Sequence, residues 1–242
     1  MKYLVALILC FALPLSASAT VAFDAYSENI GSGDQSFTHT PVGTPRAVII
    51  YTATGGSSDV TSVSYGGVAL TQMTDSPNNH TTGEPQNITG WFLGTSIPTG
   101  AQTVLLDAGA ATRIVYVVTL TGAADTEIVD VDATIKSDSR ADPSVTLSLG
   151  GRSSFVSIAF GTGQDASTGT TPFSGWTVRD ETDLGTTGLG YYTYDTVGTT
   201  DVTSGWTQTA EDAVAITAAV SEVQAASLTN SILALVRAFW LF

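Results

Sequence analysis

The stretch Val60-Thr61-Ser62-Val63-Ser64-Tyr65-Gly66-Gly67-Val68-Ala69-Leu70-Thr71-Gln72-Met73 decides the fold class. Val63 and Tyr65 alternate with Ser62 and Ser64, the period-2 pattern of a half-buried strand. Gly66 and Gly67 can both adopt the positive φ angles of a tight hairpin, and the apolar residues resume at Val68 and Leu70. A β-hairpin is therefore predicted here.

The same texture continues on both sides. Strands are predicted at Val21–Tyr26, Ser36–His39, Ala47–Thr54, Ile88–Leu93, Gln102–Leu106, Ile114–Leu120 and Ile128–Ala133. They follow again at Val145–Leu149, Phe155–Phe160, Trp176–Asp180, Gly190–Tyr194, Gly205–Thr209 and Ala213–Val220. Clusters of Gly, Asp, Ser, Thr and Pro separate them. Ala47–Thr54, Ile114–Leu120 and Phe155–Phe160 are apolar on both alternating sets, which predicts central strands covered on both sides or sealed on one. No helix of ten or more residues is predicted before the C-terminal tail.

Composition agrees. Of 242 residues 43% are hydrophobic and only 12% charged, about half the usual charged share, so Ser, Thr, Asn, Gln and Gly supply the polar surface. Eight basic residues stand against 22 acidic ones, a formal net charge of −14. That surface repels nucleic acid and anionic lipid headgroups, so no nucleic-acid partner is expected.

Residues 1–19 read as an export leader: Lys2, an apolar run from Tyr3 to Leu13, then Ala17-Ser18-Ala19 before Thr20. Cys10, the one cysteine, lies inside it, so the exported part would carry no disulfide. Extracellular or cell-surface placement follows, with the periplasm as the other destination. Residues 20–224 read as one β-sandwich domain, without a boundary or a repeat register between its halves. Gly161–Gly175 and Asp75–Gln86 are its longest loops.

Residues 225–242 form an apolar tail. In Ser231–Phe242, the side chains of Ile232, Leu235, Val236, Phe239 and Trp240 fall on one face at helical spacing. An alternating strand is the other reading, and twelve residues are too few for a membrane-spanning helix. The tail is expected to be an interaction element, contacting a partner subunit or a membrane surface.

Catalytic signals are few. His39 and His80 are the two histidines, and no HExxH, GxSxG or zinc-type cysteine set accompanies them. Each reads as a surface or satisfied residue. Carboxylates are plentiful, and a hydrolase would need two of them facing each other in a cleft, with at least one poorly solvated. Oxygen-rich loops make calcium the conceivable cofactor. Asp130 and Asp132 share a side of one strand, and Asp138 and Asp142 flank a short loop, although no EF-hand spacing is present. Trp91, Trp176, Tyr192 and Trp206 are the candidates for stacking on a glycan, against the alternative of burial in the core.

Several pieces, taken together, resemble the jelly-roll sandwich domains of bacterial surface and secreted proteins and of phage structural proteins. They are Val63–Thr71, Gly90-Trp91-Phe92-Leu93, Ile97–Val104, Val117–Ala123 and Ala213–Ala218, spanning about residues 45–222. The resemblance implies a two-sheet antiparallel sandwich, similar in shape to concanavalin-like carbohydrate-binding domains, and carries over no catalytic residue. The leading expectation is an exported, non-enzymatic module with a structural, assembly or adhesive role, including self-association. A calcium-assisted carbohydrate-binding module is the alternative. A virion protein and a glycoside-acting enzyme follow.

Overall fold

The apolar runs become central strands. A computed structural model describes residues 20–56, 60–81, 86–122, 124–163, 171–183 and 190–223. The predicted leader and tail lie outside these residues. In chain order the strands are β1 (Ala22–Ser32), β2 (Gln35–His39), β3 (Ala47–Gly55), β4 (Val60–Tyr65), β5 (Val68–Ala69), β6 (Thr71–Gln72), β7 (Asn78–His80), β8 (Gln86–Leu93), β9 (Gln102–Ala108) and β10 (Thr112–Thr121). They continue as β11 (Thr126–Asp132), β12 (Lys136–Arg140), β13 (Ser144–Leu147), β14 (Ser154–Thr162), β15 (Thr171–Pro172), β16 (Thr177–Asp183), β17 (Gly190–Gly198), β18 (Val202–Thr207) and β19 (Glu211–Glu222). No helix occurs among the described residues. The Gly66-Gly67 hairpin forms as predicted, with φ of 55° and 80°, and joins β4 to β5.

The class is all-β and the pairings are antiparallel, but the strands sort into four sheets. The first runs β1-β10-β3-β8-β6, with β7 also on β8. A second runs β2-β9-β4-β5. A third runs β11-β19-β14-β17-β16, with β12 also on β19, and a fourth runs β13-β18-β15.

The cores stack these sheets in a fixed sequence. One face of the first sheet (Ile49, Tyr51, Tyr116, Val118) shares a core with one face of the third (Phe155, Ala159, Val214, Ile216). The opposite face of the first sheet (Val48, Ile50, Val115, Val117) packs on Val63, Tyr65, Val104 and Leu106 of the second. The opposite face of the third (Ile158, Phe160, Tyr192, Tyr194) packs on Trp206 of the fourth. Two sheets are therefore buried on both faces. This accounts for the continuous apolar runs in β3, β10, β14 and β19, where an ordinary two-layer sandwich would show alternation.

The strand orders reveal an internal duplication. Replacing β1, β10, β3, β8 and β6 by β11, β19, β14, β17 and β16 turns the main path of the first sheet into that of the third, the added strands β7 and β12 lying at different places. Replacing β2, β9 and β4 by β13, β18 and β15 turns the second, without β5, into the fourth. Register matches as well as order. Ala47 pairs with Leu120 as Phe155 pairs with Val220, and Ile50 with Trp91 as Ile158 with Tyr194. Even a β-bulge recurs: between Phe23 and Ala25 opposite Leu120 and Thr119, and between Ile128 and Asp130 opposite Val220 and Ala219. The expectation of halves alike in texture but without a repeat register is thus corrected.

Side-chain size at equivalent positions of the shared core differs between the halves, which hides the repeat in the sequence. Tyr51 corresponds to Ala159, Ala47 to Phe155, and Val118 to Ala218, so a bulky residue in one half stands where the other half has a small one. A hydrogen bond crosses the same core, with the Tyr51 hydroxyl 2.7 Å from Ser157 Oγ. Gly94 lets the halves approach: Thr126 N–H donates to its carbonyl at 3.0 Å, and a Cβ there would lie 2.1 Å from the Thr126 carbonyl oxygen.

Candidate functional site

The duplication gives the central interface two rims, one between β1 and β16 and its counterpart between β11 and β6. On the first rim Tyr26, from β1, donates its hydroxyl proton to Asp180 Oδ2 on β16. Glu28, two residues along β1 and so on the same face, hydrogen-bonds to Asp180 as well. Burial pushes the Glu28 carboxyl up, and the Asp180 contact adds to this while Thr182 opposes it. The Glu28 carboxyl thus stands near a phenol whose own pKa is raised, first by burial and then by Asp180. Tyr116 lies behind them, its ring centroid 6.3 Å from that of Tyr26.

Arg179 closes this rim. Its guanidinium sits 3.5 Å over the Phe23 ring, a cation–π contact, and donates to both carboxylate oxygens of Asp195, one bond being 2.9 Å long. Burial raises the Asp195 pKa and the Arg179 pairing opposes it. The chemistry available here is proton uptake by the Glu28 carboxyl, whose pKa is raised beside the neighbouring strand.

At the counterpart rim Val131 occupies the position of Tyr26, and Ile128 that of Phe23. Met73 is hydrogen-bonded to Gly90, where Asp180 is paired with Thr193. Nothing comparable to the Tyr26–Asp180 link joins these residues. Instead a groove of about 430 Å³ opens between Thr71–Thr74 and Phe92 on one wall and Ile128–Val131 on the other.

A third polar cluster fastens β1, β2 and β10. His39 Nδ1 lies 2.8 Å from Ser27 Oγ, and Nε2 lies 3.1 Å from Thr119 Oγ1. Thr119 donates its one proton to Asp24 Oδ2 at 2.9 Å. Thr119 must therefore accept from His39 Nε2–H, and Nδ1 accepts from Ser27. Burial holds His39 down to about 4, with Asp24 opposing. A Ser–His pair is the start of a nucleophile, but this imidazole has 0% exposure and its second nitrogen meets a hydroxyl rather than a carboxylate. His39 is a satisfied strand residue.

The proposed stacking residues do not form an external platform. Trp206 and Tyr192 are fully buried and Trp91 is 4% exposed. Trp206 stacks on Phe160 at 3.8 Å, Phe160 stacks on Tyr192 at 4.8 Å, and Trp206 Nε1–H donates to Gln208. These rings fill the layer between the third and fourth sheets, because flat aromatic faces bury the most area there. Trp176 is half-buried against the same layer.

The four proposed calcium ligands are likewise spread out in role. Asp130 accepts from Ser148 N–H and Asp132 from the Thr134 N–H and hydroxyl, both serving loop geometry. Asp142, at φ 49°, lies 3.4 Å from Gln208 N. Asp138 lies on β12 rather than beside a loop, and its side chain is outside the described set. Among the described residues no three His, Cys, Asp or Glu side chains converge on a common point suited to a metal. The tail residues Ile232, Leu235, Val236, Phe239 and Trp240 also lie outside the described residues.

The Glu28–Asp180 pair escaped the sequence reading, since the partners stand far apart in the chain and neither sits in a motif. The duplication was the one signal that could have brought them together. A scan against protein-family models, a search of curated proteins and a search of solved structures each return no match.

Proposed function

We propose that this chain is an exported, non-enzymatic structural module, built from two stacked jelly rolls, that acts in assembly or adhesion at a surface. Supporting the jelly-roll reading, the last strand of each half lies beside its first, and β2 pairs with β9 in the opposing sheet as β13 pairs with β18, the short β12 being an addition to the second half. The observation that carries the functional reading is the character of the two outermost sheets. Each offers solvent many short hydroxyl side chains: Ser36, Thr38, Ser62 and Thr103 around the exposed Leu105 on one, Thr146, Thr171, Thr203 and Thr207 on the other. Cross-strand pairs tie the second array together, Thr146 to Thr203 at 3.0 Å and Thr171 to Thr207.

Such faces lose little side-chain entropy on contact, which suits repeated low-affinity association. Arg113, Arg152 and Arg179 are engaged internally, on the Gly33 and Gly109 carbonyls, on Glu127 and on Asp195. Acidic groups therefore dominate the charge that faces solvent, and they keep the module soluble until a partner is met.

The test is fractionation of cells producing the full chain, with N-terminal sequencing of the product and sedimentation analysis across concentration. The reading predicts an N-terminus at Thr20, recovery outside the cytoplasm, and concentration-dependent assembly that Thr38→Arg and Thr103→Arg together suppress. An intracellular protein that begins at Met1, or a monomer at every concentration with no surface attachment, would refute it.

A further inference from the structure

We propose that the chain's own C-terminal segment, Ser231–Phe242, packs into the groove between β6 and β11, closing the rim that side chains close at the other end of the interface. This inference does not rest on the functional proposal above. The first support is the broken symmetry. Phe23, Tyr26, Arg179 and Asp180 fill one rim, whereas the equivalent Ile128, Val131 and Met73 line an open groove of about 430 Å³ together with Phe92.

The second support is where the chain leaves the described body. Val223 donates its N–H to the Asp125 carbonyl at 2.8 Å, and Asp125 stands three residues before Ile128, the first groove residue of β11. Residues 224–230 can extend over roughly 23–25 Å, while the Ile128–Val131 wall is only about 10–13 Å long. Reach is ample, and tethering places the segment at high effective concentration.

The third support is chemical fit. Leu235, Phe239 and Trp240, on one face at helical spacing, match a groove whose apolar surface comes from Met73, Phe92, Ile128 and Val131, with methionine sulfur available to the aromatic rings. Asp130 is the charged residue in the groove lining, and Arg237 is the charged residue of the segment. β11 is also an edge strand of its sheet, and a covering segment protects such an edge from pairing with other chains.

A cross-linking experiment on the full chain tests this. With Cys10→Ser removing the native thiol, Val131→Cys and Phe239→Cys are joined by a short bismaleimide at low protein concentration. An intrachain bridge is expected in most molecules. Asp130→Arg should lower its yield several-fold, and adding Arg237→Asp should restore it. In a parallel measurement, Leu235→Asp with Phe239→Asp should speed amide exchange at Ile128–Val131 about tenfold, leaving β14 unchanged. No bridge, a bridge formed only between chains, or groove exchange indifferent to the tail substitutions would overturn the proposal.

Discussion

The two rims of the central interface occupy equivalent places in a duplicated strand order, yet one is closed by charge and the other is open and apolar. Tyr26, Glu28, Asp180 and Arg179 tie β1 to β16, while Val131 and Met73 face each other across a groove between β11 and β6. On the β1 and β11 side the backbone pairing is the same at both, including the bulge. What the difference teaches is that strand order and register set the frame, and side-chain choice at a handful of matched positions decides whether an edge is sealed or left to receive something.

The comparison can be broken most forcefully from the middle. Phe155→Ala removes a fully buried ring from the core shared by both halves and should cost about 3–5 kcal/mol in urea unfolding. Because the core is common, circular dichroism and tryptophan fluorescence should report one coincident transition. Two separated transitions would mean that the halves are independent units.

Gly94 is the hinge point of the approach between halves. Gly94→Ala drives a methyl group into the Thr126 carbonyl and should destabilise by about 1–3 kcal/mol, with exchange rising first at Thr126–Val131.

The His39 cluster belongs to the first half alone, since Leu147 holds the matching position on β13, opposite Val202 as His39 is opposite Gln102. A histidine held down to about 4 binds fewer protons folded than unfolded. Its contribution is present above about 6.5 and is lost as the pH falls towards 4, on the order of 2 kcal/mol. Unfolding at pH 7 and at pH 4.5 should show that loss, and His39→Gln should flatten it.

The acid rim supplies a smaller effect of opposite sign. Glu28 has a raised folded pKa, so its stabilisation is complete below the ordinary carboxyl range and is lost as the pH rises through the raised value. Glu28→Gln should therefore gain on the parent at pH 8, by under about 1 kcal/mol for a group that solvent partly screens. Parallel stability curves for the two proteins from pH 4 to 8 would remove the raised Glu28 carboxyl from the account.

Much of this frame was legible from residues. Val60–Tyr65 is a strand with the bounds predicted, and the apolar runs at Ala47–Thr54 and Ile114–Leu120 are central strands. Two signals were weaker. Val68–Met73 splits into β5 and β6 because Leu70 turns inward, its N–H on the Val63 carbonyl, as the chain leaves one sheet for another. β7 and β12 carry polar sequences, Asn78–His80 and Lys136–Arg140, that show no apolar alternation.

The site was less legible for a physical reason. A tryptophan such as Trp206 has the same sequence signature whether it faces a ligand or Phe160. The Glu28–Asp180 contact exists only because the halves stack, and the repeat behind the stacking was masked where Tyr51 in one half corresponds to Ala159 in the other.

Face-to-face stacking of the two halves is most directly tested by a double-mutant cycle on Tyr51→Phe and Ser157→Ala. Their hydroxyls meet at 2.7 Å across the shared core, one from each half. The account predicts a coupling of about 0.5–1.5 kcal/mol. Strict additivity of the two substitutions would place these side chains apart and contradict it.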